Sequence, residues 1–373
     1  MLRIAIDLIW VKVGKVGGAE SFVRNLIEGI KEVDTINHYY LITTQDNDDS
    51  FRSYESNNIH LLKMNINSEP VKKRLLWQNL LFENCLISNE IFYCFCPVYL
   101  KPLFGSKRIK YITVIHDLQQ LHYPEYFSKI RYYWTINAWR RTISTSKRIV
   151  TISNFVKQDI VANFNIDEQK VKVIYNPIVV DNGEADFEYL SCKYGIENQN
   201  YYFTLSAMLK HKNLDTLIRM IAKIISDDIK GIPRKLIISG VNGENKRVLE
   251  NLINQLGLED FCIITGYISN EERNTLYRHC QSFLFPSIFE GFGMPVIEGL
   301  ILGSNVITTK CTSIPEVSLG KAIYVENPFD VNEWIEKILL SYKIPTKKYT
   351  FHCYNKEKIA LEYIDLFENV FHE

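Results

Sequence analysis

Glu290 and Glu298 bracket a glycine turn in Phe289-Glu290-Gly291-Phe292-Gly293-Met294-Pro295-Val296-Ile297-Glu298. The run Ser282 to Phe285 before it is short, apolar and aromatic, as a buried strand end is. Gly291 and Gly293 permit backbone conformations closed to other residues, so the chain is expected to turn sharply there. Pro295 suits the first helical position, where its missing N–H costs nothing, and Val296 to Leu302 continues as an apolar helix. Free amides at such a helix start favour an anion above the turn. Glu298, about one turn in, can accept hydrogen bonds from vicinal hydroxyls such as those of a ribose, while Glu290 lies at the lip where a hexose would sit. The simpler reading is a helix start whose acids complement the dipole, worth ~0.3–1 kcal/mol each. The glycines, the proline and the second glutamate together favour a site for a phosphorylated sugar.

Other residues add to that chemistry. Gly17-Gly18-Ala19-Glu20 follows the first apolar run, and bare glycine amides ahead of a helix can approach a phosphate closely. His116-Asp117 ends the run Tyr111 to Ile115, which puts both at a strand's carboxyl end; a histidine merely satisfied by backbone is the alternative. Lys212-Asn213 follows Leu205-Ser206-Ala207-Met208-Leu209-Lys210-His211. A lysine about 4 Å from a phosphate oxygen is worth on the order of 4 kcal/mol at an effective dielectric of 20, before desolvation. A solvated basic turn is the plainer alternative.

The elements that must hold these residues alternate along the chain. Residues 2–9 read as a first strand, and a helix with Phe22, Val23, Leu26, Ile27 and Ile30 on its apolar face follows the glycines. Further strands are expected at Tyr39 to Thr43, His60 to Met64, Ile91 to Cys94, Tyr111 to Ile115, Arg148 to Ile152 and Val171 to Ile174. A second series runs through Tyr201 to Ser206, Leu236 to Ser239, Cys262 to Thr265, Ser282 to Phe285, Asn305 to Thr308 and Ala322 to Val325. Alternation with helices implies parallel sheets covered on both faces, with ligands at the carboxyl ends of the strands. The fold class is therefore α/β. Between the two series, Asn176 to Asn200 is polar and suits a connector. Three segments are expected: 1–180, 181–354, and a last helix within 355–373 carrying Ile359, Tyr363, Leu366, Phe367 and Val370.

A chain of 373 residues is comfortable for two domains. With 46% hydrophobic and 23% charged residues it is globular, and its net charge of +0 argues against a nucleic-acid binder relying on a basic field. The eight cysteines show no C-x-x-C pair or zinc spacing and read as reduced, mostly buried thiols. The first residues read as a strand rather than a signal peptide, and no apolar stretch approaches the ~20 residues that span a bilayer. A cytoplasmic protein is expected. Lys72 to Phe82 and Lys129 to Arg141 mix cations with large apolar groups. They read either as interfacial helices contacting the inner face of a membrane or as amphipathic helices packed on the sheet with snorkelling cations.

The E-x7-E spacing within F-E-G-F-G-M-P-V-I-E-G resembles the donor-site signature of the retaining glycosyltransferases of family 4. Gly266-Tyr267-Ile268-Ser269-Asn270-Glu271-Glu272 before it and Ser313-Ile314-Pro315-Glu316-Val317 after it are similar to that family's flanks. The resemblance implies the GT-B fold: two Rossmann-like domains, an acceptor-binding one and a nucleotide-sugar-binding one, an interdomain cleft, and a C-terminal helix returning to the N-terminal domain. It implies transfer of a hexose, of mannose type first, from a nucleoside diphosphate sugar to a glycan or lipid-linked glycan in bacterial surface polysaccharide synthesis. By the same resemblance, Gly17 and Gly18 meet the donor's diphosphate, and His116, with Asp117, lies beside the transferred sugar. Lys212, with Asn213 and Ser206, grips the phosphates. Tyr267 and Ile268 meet the base. Glu290, Gly291, Phe292, Gly293, Met294 and Glu298 hold sugar and ribose. No metal or other cofactor is implied, and no Asp-x-Asp site is evident. Ser206 and Ala207 depart from the family's usual glycine and arginine, which leaves one phosphate-gripping cation missing or replaced by Lys210 or His211. Two rivals stand beside this reading: a catalytically silent nucleotide-sugar-binding subunit and a nucleotide-sugar epimerase.

Overall fold

Runs of branched and aromatic residues become strands because such side chains fit a pleated surface buried on both faces. The computed structural model describes residues 1–103, 105–206 and 210–372. Its strands are β1 (Arg3–Asp7), β2 (His38–Thr43), β3 (Ile59–Lys63), β4 (Tyr93–Cys96), β5 (Lys110–Ile115), β6 (Arg148–Thr151), β7 (Val171–Val173), β8 (Tyr202–Leu205), β9 (Leu236–Ser239), β10 (Cys262–Gly266), β11 (Ser282–Phe285), β12 (Val306–Thr309) and β13 (Ile323–Val325). Every expected strand is present. The largest shift is at β4, which begins two residues later than the apolar run suggests; Ile91 is buried in the core although it precedes the strand.

The chain divides into two compact units, Met1–Val179 with His352–Glu373, and Val180–Phe351. In the first, seven strands lie in the order β3-β2-β1-β4-β5-β6-β7, all paired parallel. In the second, six lie in the order β10-β9-β8-β11-β12-β13, again all parallel. Both are doubly wound Rossmann-like sheets. In each the strand order reverses once, between β1 and β4 and between β8 and β11. At such a switch the loops leave in opposite directions and open a crevice at the carboxyl ends, where α/β sheets bind ligands.

In the second unit the helix Leu214–Ser226 buries Leu217, Ile218, Ile221 and Ile224 at three- and four-residue spacing, against the helix Val331–Ser341 with its fully buried Trp334. In the first unit, the closing helix Lys356–His372 packs along the first helix, Gly18–Val33. Gly29 permits their approach: a Cβ there would lie 2.4 Å from the Lys356 carbonyl oxygen. Ile359, Tyr363, Leu366, Phe367 and Val370 are all buried, and Phe95 meets Phe367 edge-on with ring centroids 5.4 Å apart. Each such side chain contributes about 1.5–3 kcal/mol on burial. Lys356 ties the seam at the surface by pairing with Glu28 and, at 2.8 Å, with Glu32.

Two composition-based expectations change. Of the cysteines, Cys94, Cys96, Cys262 and Cys280 are buried, whereas Cys85, Cys311 and Cys353 are half-buried and Cys192 is exposed. The stretch from Lys72 to Phe82 is not one helix but the end-to-end pair Val71–Leu80 and Phe82–Ser88, broken at Leu81.

Candidate active site

In the second unit the loops leaving β8 and β11, on either side of the switch, carry Lys212 and Glu290. The two side chains form an ion pair and are each largely shielded from water, at 16% and 13% exposure. Lys212 Nζ also stands 5.7 Å from the centre of the Phe285 ring. The loops are laced together by backbone, since the N–H of Ile288 donates to the carbonyl of His211 at 2.8 Å. The adjacent Asn213 is left-handed, with φ 52°, and its Nδ2 donates to the Pro328 carbonyl at 2.9 Å. Burial, with the Lys212 charge adding to it, pushes the His211 imidazole down to about 3, so His211 is held neutral beside Lys212. Ser206 sits at the end of β8 beneath Gly240, where a Cβ would come within 3.1 Å of the Ser206 carbonyl oxygen. Ala207, the other departure from the family pattern, lies outside the described residues.

The Glu290 turn differs in detail from the expectation. Only Gly293 adopts a left-handed backbone, at φ 85° and ψ 49°; Gly291 is not among the positive-φ residues. The helix is Met294–Leu302, so Pro295 occupies its second position. The N–H groups of Gly293 and Met294 have no acceptor among the described residues and stand open at the helix start. Phe292 is buried in the turn. One turn into the helix, Glu298 is 9% exposed, and its carboxylate makes no hydrogen bond among the described residues. Burial raises its pKa, with Arg273 opposing. An ionisable group kept dry without a partner is costly and marks a place where a ligand's donors fit.

Two side chains from the loop after β12 fix this turn. The N–H of Glu290 donates to Thr312 Oγ1 at 3.0 Å, and Ser313 Oγ donates to the Glu290 carbonyl at 2.9 Å. Thr312 does this from a left-handed backbone, φ 54°, which is strained for a β-branched residue. At the β10 end, Gly266 has φ 75°; Ile268 is buried, while Tyr267 is 76% exposed and so is no part of the core.

The first unit places its residues at the ends of β1 and β5. Gly17 caps the first helix with φ 62° and ψ −137°, a conformation open to glycine, and Gly18 is the first helical residue. The N–H groups of Gly18 and Ala19 have no acceptor among the described residues. Glu20 braces the loop from behind, accepting from the Gly14 N–H at 2.9 Å and pairing with Arg24 at 2.9 Å. His116 Nε2 lies 2.8 Å from the Pro97 carbonyl, which can only accept, so Nε2 carries the proton and Nδ1 holds the lone pair. Its ring meets Phe22 edge-on, and burial pushes its pKa down to about 4. The imidazole is therefore neutral. Asp117 accepts from the Gln119 N–H at 3.0 Å, the geometry of a turn-forming aspartate.

Asp7, at the end of β1, escaped the sequence reading. It is fully buried, accepts from the Ile9 N–H and from Gln78 Nε2 at 3.1 and 3.0 Å, and burial raises it to about 7. An acid closing an apolar strand is a legible signal that was available. The Thr312 clamp had none, because it depends on a backbone conformation.

With that geometry in place, similarity to known proteins can be weighed. Residues 16–182 match the family described as Glycosyltransferase Family 4, and residues 187–357 match Glycosyl transferases group 1. The chain is 28% identical over 233 residues to O-antigen chain mannosyltransferase B of Escherichia coli, covering 62% of this chain and 60% of that protein. It is 28% identical over 253 residues to O-antigen chain mannosyltransferase RfbU of Salmonella typhimurium, covering 68% and 65%. The matches thus span less than two thirds of the length of either relative. The crystal structure of Anabaena Alr3699/HepE in complex with UDP and glucose superposes with a TM-score of 0.71 at 15% identity, over 99% of this chain and 100% of that one, a likeness of fold. Both halves of the sequence carry the family's pattern on two Rossmann-like units, and the chain belongs to glycosyltransferase family 4, with the GT-B fold.

Proposed function

We propose that this protein is a retaining glycosyltransferase that moves a hexose, mannose first among candidates, from a nucleoside diphosphate sugar to a glycan or lipid-linked glycan in surface polysaccharide synthesis. The observation that carries the reading is Glu298, a buried carboxylate without a hydrogen-bond partner among the described residues, one turn inside a helix whose first amides stand open. A ribose offers two adjacent hydroxyl donors to such a group. The mannosyltransferase names of the relatives, and UDP and glucose in the HepE complex, support the substrate class.

In this reading the departing pyrophosphate draws Lys212 away from Glu290, and the Gly293 and Met294 amides face the charge that develops on it. Glu290, released, accepts from hydroxyls of the sugar. In the first unit, His116 offers Nδ1 as an acceptor, and the Gly18 and Ala19 amides offer donors to an anion. The C1–O bond to phosphate breaks as the acceptor oxygen bonds to C1 from the same face, and the acceptor's proton passes to the leaving phosphate oxygen. Lys212 and fixed amides, rather than a metal, carry the neutralisation. A thermal-shift panel of UDP, GDP, ADP and dTDP sugars tests the donor site, since a bound donor raises the melting point by mass action. If no nucleotide sugar stabilises the wild type, or if Glu298→Ala is stabilised equally, the reading fails.

The same reading includes peripheral contact with an anionic membrane face by a cytoplasmic protein. No described helix is long and apolar enough to cross a membrane. The helices Val71–Leu80 and Lys129–Thr145 contain no Asp or Glu and expose Lys72, Lys73, Lys129, Arg131, Arg140 and Arg141. Leu76, Leu80, Ile130 and Tyr133 are exposed beside them, at 62%, 62%, 85% and 64%. Cations interleaved with bare apolar groups suit a lipid interface. Flotation with anionic liposomes should show salt-sensitive binding.

A further inference from the structure

Between those two helices the loop after β4 is held on both sides. Thr142 Oγ1 donates to the Tyr99 carbonyl at 2.8 Å, Arg141 Nε to the Leu103 carbonyl at 2.9 Å, and the Leu103 N–H to Asn79 Oδ1 at 2.6 Å. The clamped loop turns Lys101 inward. Lys101 lines a cavity of about 40 Å³ together with Leu75, Asn79, Tyr99, Trp134 and Thr142. One water needs ~10–15 Å³ by the same measure, so the space suits a small polyatomic group.

Lys101 is 6% exposed and has no hydrogen bond or ion pair among the described residues. Its Nζ stands 4.5 Å from the centre of the Tyr111 ring. Glu83, an acid whose charge acts on Lys101, is committed elsewhere: it accepts from Tyr111 Oη at 2.7 Å and from the Ser106 N–H at 2.5 Å. Burial lowers the ammonium's pKa to about 8, with Arg141 adding to the effect and Cys96, Cys94 and Glu83 opposing it. A lysine held dry without a counter-charge destabilises the fold and persists where an anion can join it. Both flanking helices bring only cations, so the field at the cavity mouth favours that anion.

We propose that the cavity lined by Lys101 receives the phosphate of an anionic phospholipid headgroup, which Lys101 pairs with while the flanking helices lie on the surrounding bilayer surface. This rests on the peripheral-membrane reading and adds a specific subsite to it.

The test is co-sedimentation of the full chain with phosphatidylcholine vesicles with and without phosphatidylglycerol, for wild type, Lys101→Met and Lys101→Arg. Melting points are taken in parallel. The wild type binds the phosphatidylglycerol vesicles and not the neutral ones. Lys101→Met binds about fivefold more weakly, one basic residue's share, with a melting point no lower than wild type, and Lys101→Arg restores binding. Wild-type binding weakens between pH 7 and 9 as Lys101 loses its proton, whereas the Lys101→Met variant is flat over that range. A wild type that ignores anionic vesicles sinks the membrane reading and the subsite together. A wild type that binds, with Lys101→Met binding equally, sinks the subsite alone. Stabilisation by inorganic phosphate that needs Lys101, with vesicle binding unchanged in Lys101→Met, would also overturn the proposal in favour of a free-anion site.

Discussion

The ion pair of the second unit and two strand ends of the first keep ionisable groups away from water in opposite ways. In the second unit, Lys212 and Glu290 neutralise each other as an ion pair. In the first, Asp7 and His116 at the strand ends move toward the neutral form instead, raised to about 7 and lowered to about 4, although Glu20 there is paired with Arg24. Pairing keeps a cation and an anion ready, and a ligand needs only to exchange partners. Neutralisation keeps hydrogen-bonding groups that carry no charge until something arrives to stabilise it. Within the second unit His211 is neutral as His116 is, and Glu298 is an acid neither paired nor hydrogen-bonded among the described residues, which is why it carries the proposed donor site.

Breaking the pair from its cationic side should have the largest effect. Lys212→Ala is expected to lower turnover with a proven donor by roughly 10²–10³-fold while the circular dichroism spectrum stays that of wild type, as for loss of one charge-stabilising donor. Breaking it from the acidic side separates the two roles of the pair. Glu290→Gln frees Lys212, so calorimetry should find the bare nucleoside diphosphate bound about fivefold more tightly, ~1 kcal/mol, even as transfer slows. Unchanged product affinity would mean that the pair does not compete with phosphate.

The clamp on the pair offers a smaller, graded test. Thr312→Val leaves the Glu290 N–H without its acceptor and should cost about 1–3 kcal/mol in urea unfolding. Thr312→Ser, which keeps the hydroxyl, should behave like wild type in unfolding and in turnover. In the first unit, Lys101→Met removes a buried charge and should raise the melting point by ~2–4 °C, the size of a 1 kcal/mol gain in a domain of this length.

The smallest effect is in pH dependence. As pH falls from about 6.5 to about 4, His116 takes up a proton in the unfolded chain but not in the fold, so its contribution to stability is lost. Asp7 does the reverse: from about 7 down toward 3.8 the folded state binds the proton first, so acidification favours the fold. The two oppose each other in the wild type. Asp7→Asn should make denaturant-measured stability fall more steeply on acidification, and His116→Gln less steeply. Parallel profiles for both variants would show that neither group titrates as its surroundings imply.

Much of the fold was legible because parallel strands buried on both faces read as unbroken apolar runs, and here those runs alternate with amphipathic helices. The polar connector from Asn176 to Asn200 spans the point where the first unit gives way to the second, between Val179 and Val180, and the chain returns to the first unit at His352, slightly before the expected segment at 355. The break at Leu81 was invisible because apolar residues continue straight through it. Gly291 shows the limit of reading glycines: the residue type permits a left-handed turn, but only its neighbour two places on adopts one.

The sequence alone determined the residue types and their order: two glutamates around a glycine turn, a lysine after a strand, a histidine at another strand's end. Those follow from local pattern, because hydrophobic period and turn chemistry act over a few residues. Only the tertiary structure decided that Lys212 is already held by Glu290, that Thr312 and Ser313 grip the turn, and that Lys101 lies buried beside two acid-free helices. Ion pairing, desolvation and hydrogen-bond satisfaction depend on which groups the fold brings within a few ångströms, and residues 78 apart in sequence carry no mark of meeting.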